Sequence, residues 1–265
     1  MAATVEEMST QLSRFSGILK AFAASTDTFR PIKSSAVGSS TPCSHLHVLD
    51  SSFNPPTRAH LSLLSRSGTS PTTRVLLLLA TQNADKPPAP ASFEDRLAMM
   101  HLFAASVPLQ VDIAITKHAR FLDKAAELER VYPGAEQTYL TGYDTLIRLL
   151  DTKYYPPNHT LQPLESFFNL NRVVCTMRSG GGWGDIVEQR EYVAGIGRGE
   201  REAEGCKKDW AERIELVEAA PESLGVSSTK VREAVKKGDM EALERYLTKD
   251  VKEWVLQRGL YATEA

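Results

Sequence analysis

The sequence predicts an α/β fold: an open, mostly parallel sheet with helices on both faces, flanked by an N-terminal helix and a set of C-terminal helices. Three observations carry this expectation. From residue 45 onward, short apolar runs alternate with helical patterns, as repeated strand–helix–strand units require. Arg74–Ala80 (RVLLLLA) is an almost unbroken apolar run, as expected of a strand covered on both faces. The 265 residues are 42% hydrophobic and 24% charged, so the chain can bury a sizeable core.

Taken in order, residues 5–24 place Met8, Leu12, Phe15, Ile18, Leu19 and Phe22 at helical spacing. This predicts one amphipathic helix that packs on the domain, with a partner-binding arm as the alternative. Residues 25–44 are rich in Ser, Thr and Pro and read as a linker. The chain therefore divides into residues 1–44, helix and linker, and residues 45–265, the main domain. Strands are expected at His45–Asp50, Arg74–Ala80, Leu109–Thr116, Gln137–Thr141, Arg172–Met177 and Ile214–Ala219. Helices are expected at Thr57–Ser67, from Ser92 (an N-cap with Asp95 three residues on) through Ser106, at Phe121–Val131, Asp144–Leu150 and Ser228–Lys237. Two stretches interrupt the alternation. Tyr154–Pro163 reads as a Pro-containing loop, and about 180–212 as a charged, partly helical insertion opening on a glycine-rich run, with Trp210 inside it and Trp254 in the core.

Charge and cysteine content narrow the function. A formal net charge of −2 gives no reason to expect a long nucleic-acid duplex as partner. Cys43, Cys175 and Cys206 are too few and too scattered for a disulfide framework or a zinc site, which fits a reducing compartment. No apolar run is long enough to span a bilayer, so no membrane partner is expected. No secretory signal is read, and Glu6 and Glu7 speak against a transit peptide; a cytoplasmic or nuclear setting is the default expectation. A homo-oligomer is compatible with the sequence, and the oligomeric state is left open.

In sheets of this kind ligands bind beyond the carboxyl ends of the strands. There the predicted topology puts Ser51–Asn54, Thr81–Lys86, Gly142–Asp144 and Arg178–Gly182. Two strings stand out: Ser51-Ser52-Phe53-Asn54-Pro55-Pro56-Thr57-Arg58-Ala59-His60 after the first strand, and Val226-Ser227-Ser228-Thr229-Lys230-Val231-Arg232 after the last. Each sets small hydrogen-bonding residues at a helix start, where unpaired N–H groups favour phosphate. Asn54 can fix its own turn, the two prolines stiffen it, and Thr57 and His60 share a helix face. A histidine there can donate N–H to a phosphate oxygen.

SSFNPPTRAH resembles the G-S-F-N-P-x-T-x-x-H signature of the nicotinamide mononucleotide (NMN) adenylyltransferase family, and VSSTKVR resembles that family's I-S-S-T-K-I-R. Gly142-Tyr143-Asp144 is similar to its G-x-D element, and the tail through Gly259-Leu260-Tyr261 follows its pattern. The resemblance spans roughly residues 45–261 and is loose over 150–212. It implies a Rossmann-like sheet and transfer of the adenylyl group of ATP to the 5′-phosphate of NMN or nicotinic acid mononucleotide. The products are pyrophosphate and NAD or its acid form, with magnesium riding on the triphosphate and no covalent intermediate. It also implies that His60 contacts the α-phosphate and Thr57 the phosphates beside it. Ser227, Ser228, Thr229, Lys230 and Arg232 would hold the β- and γ-phosphates, Arg232 by its rigid fork and Lys230 mainly through its backbone.

Ser51, Ser52, Phe53 and Asn54 would lie under the nucleotides, and Gly142 would admit the ligand to the backbone. Asp144 would accept from a ribose hydroxyl or amide or orient the metal, an N-cap being the alternative. On the acceptor side the candidates are Ser52, Phe53, Lys86, Arg96, Arg178 and, for stacking the pyridine ring, Trp183; for Lys86 and Arg96 the alternative is a solvated surface charge. Two residues depart from the family: Ser51 stands where it has Gly, and Asp50 adds a carboxylate beside the phosphates. A related adenylyl- or cytidylyltransferase with another phosphorylated acceptor, and a non-catalytic nucleotide-binding module, remain as alternatives.

Overall fold

The computed structural model describes residues 5–33, 42–65, 70–81, 90–178 and 182–262. In chain order the elements are α1 (Val5–Ala24), β1 (Phe29–Lys33), β2 (His45–Asp50), α2 (Arg58–Leu64), β3 (Thr73–Ala80), α3 (Phe93–Ala104), β4 (Gln110–Thr116), α4 (Phe121–Val131), β5 (Glu136–Gly142) and α5 (Tyr143–Leu149). There follow α6 (Glu165–Leu170), β6 (Arg172–Met177), α7 (Ile186–Arg198), β7 (Ile214–Glu218), α8 (Ser228–Lys237), α9 (Met240–Tyr246) and α10 (Lys249–Gln257). Among the described residues seven strands form one sheet in the order β1-β4-β3-β2-β5-β6-β7. Every neighbouring pair is parallel except β1–β4. The chain winds outward from β2 to β4 on one side, then returns past β2 to begin β5 on the other. The crevice between the carboxyl ends of β2 and β5 is therefore the topological switch point, where such sheets bind ligands.

The apolar run of β3 is divided between the two faces by the two-residue strand period. Leu77 and Leu79 join Leu49, Ile113 and Ile115 under α1, α3 and the helices α8–α10. Leu76 and Leu78 join Leu46, Val48 and Tyr139 under α4, α5, α6 and α7. No described helix is long and apolar enough to cross a membrane.

Three expectations are corrected. The stretch read as a linker contains β1, an antiparallel edge strand that pairs Phe29 with Thr116 and Arg30 with Ile115. Pro31 disguises it in the sequence, because proline is compatible with a strand only at a sheet edge or bulge. The Tyr154–Pro163 loop is bounded by two short 3-10 turns, and the unpredicted α6 follows; Tyr155 and Leu161 are buried there. The charged stretch before β7 is partly helical, as expected, but its Trp210, read as an insertion residue, belongs to the core. Trp210 is fully buried and stacks on Phe168 with ring centroids 4.8 Å apart. The helix α1 packs on the sheet, with Met8, Phe15 and Phe22 in the core.

Because Trp210 fills one face of the sheet, Trp210→Ala should destabilise the chain by about 3–5 kcal/mol. Urea unfolding followed by far-UV circular dichroism would measure this, and a loss below about 1 kcal/mol would exclude Trp210 from the core.

Candidate active site

β2 delivers the first signature to the switch point. Ser51 prolongs the strand by one bond, its N–H donating to Leu78 O at 3.2 Å. The chain then turns through Phe53 at φ +45°, an uncommon conformation for a bulky residue, with Phe53 fully buried. Asn54 through Thr57 are buried as well. Thr57 caps α2, and its backbone N–H donates to His60 Nδ1 at 3.0 Å. A backbone N–H can only donate, so Nδ1 must be the unprotonated nitrogen. The Thr57 hydroxyl lies 2.9 Å from the same atom. The ring proton therefore sits on Nε2, which faces Ser51 Oγ at 3.0 Å. Protein atoms crowd the ring, Phe53 and Phe103 among them. Burial pushes its pKa down from 6.5 to about 4. His60 is thus a neutral imidazole with a fixed tautomer and one N–H on its outer edge.

The second signature meets this turn directly. The Ser227 side chain caps α8, accepting from Lys230 N–H at 3.2 Å. The Ser228 hydroxyl donates to Pro55 O at 2.8 Å. Arg232 Nη1 donates to Asn54 O at 2.8 Å, 178 positions away in the chain, and Nη2 donates to Thr229 Oγ1 at 3.1 Å. Thr229 and Lys230 are exposed.

The remaining candidates are placed unevenly. Gly142 ends β5 and caps α5; a Cβ there would come within 3.0 Å of Asp144 Oδ1. Asp144 is paired with Arg178, whose Nη2 donates to Oδ1 at 2.6 Å, so two residues read separately form one unit. Ser52 is exposed beside the turn. Trp183 is half-buried against the α4–α7 face. Arg96 is 6% exposed, with Nε donating to Ala91 O at 3.0 Å and its guanidinium over the Phe93 ring. It offers charge and support to the Ala91–Ser92 corner and is not a solvated surface group. Burial lowers its pKa, Tyr261 opposes that, and the Arg232 charge lowers it further. Lys86 lies outside the described residues.

The chain matches the sequence model of the Cytidylyltransferase-like family over residues 48–234, a span that contains both signatures. It is also 35% identical over 244 residues to a Schizosaccharomyces pombe protein assigned as a nicotinamide mononucleotide adenylyltransferase, covering 91% of this chain and 94% of that one. The chain belongs to the nicotinamide mononucleotide adenylyltransferase family. The fold extends to Plasmodium falciparum nicotinic acid mononucleotide adenylyltransferase, solved with NaAD and with APC. Each of those structures covers 83% of this chain and 98% of its own at a TM-score of 0.58, with 14% and 12% identity.

Three residues that sequence reasoning passed over now stand beside the family signatures. Gln189, fully buried on α7, donates through Nε2 to Arg178 O at 2.6 Å and accepts from Arg178 N–H at 3.2 Å, fixing the end of β6. Tyr261 donates to Asn54 Oδ1 at 2.8 Å; its only signal was the Gly-Leu-Tyr pattern. Lys124, on α4, forms a short ion pair with Asp50, the side chains being 4% and 11% exposed. Nothing in the sequence around Lys124 marks it. This pair accounts for the family departure at Asp50, since the added carboxylate arrives with its own cation.

Lys124→Met would strand the Asp50 carboxylate in the protein and should cost about 3–5 kcal/mol. Denaturant unfolding of Lys124→Met and of Asp50→Asn/Lys124→Met should show most of the loss restored in the double variant; equal losses would refute the pairing. His60 gives a pH signature. Between pH 6.5 and about 4 the unfolded chain binds a proton that folded His60 refuses. The stability present above pH 6.5 is therefore lost as pH falls through about 4. His60→Asn should flatten this window relative to the parent, and parallel curves for the two would exclude the depressed pKa.

Proposed function

We propose that this chain transfers the adenylyl group of ATP to the 5′-phosphate of NMN or of nicotinic acid mononucleotide, releasing pyrophosphate and NAD or its acid form. The observation that carries the reading is the junction of the two signatures. Ser228 and Arg232 donate to the carbonyls of Pro55 and Asn54, and a neutral His60 N–H lies alongside, beside the switch point of the sheet.

In this reading an oxygen of the acceptor phosphate attacks the α-phosphorus of ATP in line, and pyrophosphate leaves with the electrons of the broken P–O bond. No side chain needs to become covalently attached. The protein's work is to hold two polyanions together and to neutralise charge that shifts toward the leaving group. His60 donates its Nε2–H to a non-bridging α-phosphate oxygen. Being neutral, it strengthens that bond as negative charge grows without having to give the proton away. Two of the five N–H donors of Arg232 are committed to Asn54 O and Thr229 Oγ1, so the guanidinium plane is set before the pyrophosphate moiety arrives. Ser227, Thr229 and the first amides of α8 surround the same oxygens, with Thr57, Ser51 and Ser52 on the opposite wall.

Among the described residues there is no group of three or more His, Cys, Asp or Glu that could hold a metal ion. Asp144 and Asp50 are each already paired with a cation. A magnesium ion is therefore expected to be carried by the ATP phosphates and water, where it would offset charge on the triphosphate. On the acceptor side, Arg178 and Trp183 flank the end of β6 and supply a phosphate-binding fork and a stacking face. Arg96 adds positive field from within the protein.

Supplying ATP, magnesium and NMN, or its acid analogue, should give dinucleotide and pyrophosphate in equal amounts. Tight ATP binding with neither product would overturn the acceptor assignment. His60→Ala should lower kcat by roughly 10²–10³-fold, the scale for losing one donor to a developing charge, with the fold retained by circular dichroism. Turnover near the parent level would remove His60 from the site.

A further inference from the structure

The Gly-Leu-Tyr sequence after α10 takes no part in the chemistry above, yet it is built into the phosphate site. The last turn of α10 closes with Gly259 N–H donating to Leu256 O at 3.1 Å and Leu260 N–H to Val255 O at 3.0 Å. Gly259 adopts φ +60°, which costs glycine nothing. Tyr261 then adopts φ +66°, where a bulky side chain is strained. A residue held in that conformation must be over-determined by contacts elsewhere.

One contact of Tyr261 runs to the first signature, and its neighbour Arg258 reaches the start of α3. Tyr261 is 5% exposed, and its hydroxyl donates to Asn54 Oδ1 at 2.8 Å, 207 positions away. Asn54 is itself 5% exposed, and its main-chain oxygen is the one that holds Arg232. On the other side, Arg258 Nε donates to Asp95 Oδ1 at 3.1 Å. Asp95 also takes the Ser92 hydroxyl at 2.7 Å, at the start of α3 and next to Arg96. Burial raises the Tyr261 hydroxyl pKa, and the nearby Arg96 and Arg232 charges oppose that rise.

The geometry points to Tyr261 as a positioning residue for adenylyl transfer: its hydroxyl fixes the Asn54 side chain, and through the Asn54 carbonyl it sets the Arg232 guanidinium against the triphosphate. This inference rests on the nucleotidyl-transfer reading. Tyr261 itself touches no reacting atom.

Tyr261→Phe removes the hydroxyl and keeps the ring, so it separates positioning from burial. With saturating acceptor, kcat should fall roughly tenfold and KM for ATP should rise, while KM for the mononucleotide stays within about twofold. Circular dichroism and thermal unfolding should remain close to the parent. Arg232→Lys should lose more, and adding Tyr261→Phe to it should cost little further, because both changes disable the same guanidinium. A hydroxyl that serves only stability would multiply the loss by the same factor in either background. Parent-like kcat and KM for ATP in Tyr261→Phe, or losses that multiply in the double variant, would overturn the inference. A parent chain that forms no dinucleotide would overturn the adenylyl-transfer reading instead. The same four proteins would then be compared for magnesium–ATP affinity, where coupling supports the positioning role and independence refutes it.

Discussion

Two hydrogen bonds, from Arg232 Nη1 to Asn54 O and from Ser228 Oγ to Pro55 O, hold the nucleotide site together. In both, the first signature contributes main-chain carbonyls and the second contributes side chains. Neither string is a site alone. The first has a turn whose carbonyls need donors, and the second has donors whose orientation needs an anchor. Buried carbonyls left without partners are costly, so the turn and the α8 N-terminus each stabilise the geometry the other requires. The sheet makes the meeting feasible, because β2 is central and the loop after β7 returns across the switch point.

Charge is arranged around this junction in a consistent way. Burial and the nearby Arg232 charge both lower the Arg96 pKa, and the Asp50 and Asp144 carboxylates are engaged by Lys124 and Arg178. The effect is that anionic oxygens meet positive field where Asp50 and Asp144 are already paired with cations. His60 completes it in the opposite manner, by being uncharged. Its Nδ1 is occupied by Thr57, so its single N–H has one direction in which to point. A protonated imidazole would add charge but would lose this fixed arrangement, since both nitrogens would then be donors.

Much of the fold could be read from periodicity. β2, α4, β6 and α8 lie where their apolar spacing and caps put them, because those signals are local. β1 was hidden by Pro31, and α6 by a stretch too short to show a period. Trp210 was misread because its neighbours are charged, and burial there depends on Phe168, 42 residues earlier in the chain. The site divides along the same line. Thr57, His60, Ser227 and Arg232 are marked by compact strings. Lys124 and Tyr261 act through partners 74 and 207 positions distant, beyond any local window, and Gln189 through a backbone contact 11 positions away that no side-chain pattern marks. Arg96 shows the converse: its type and position were legible, but its burial against Ala91 and Phe93 was not.

The junction closes a loop of 178 positions, so it also has a place in time. A chain made from its N-terminus presents Ser51 through His60 early, folded or not, while Ser228, Arg232 and Tyr261 are still to be synthesised. During that interval the turn at Asn54 and Pro55 lacks the Arg232, Tyr261 and Ser228 donors. Nucleotide chemistry thus waits for the final stretch of the domain to leave the ribosome and dock. The first appearance of activity would mark the moment at which the whole sheet and its closing helices have assembled.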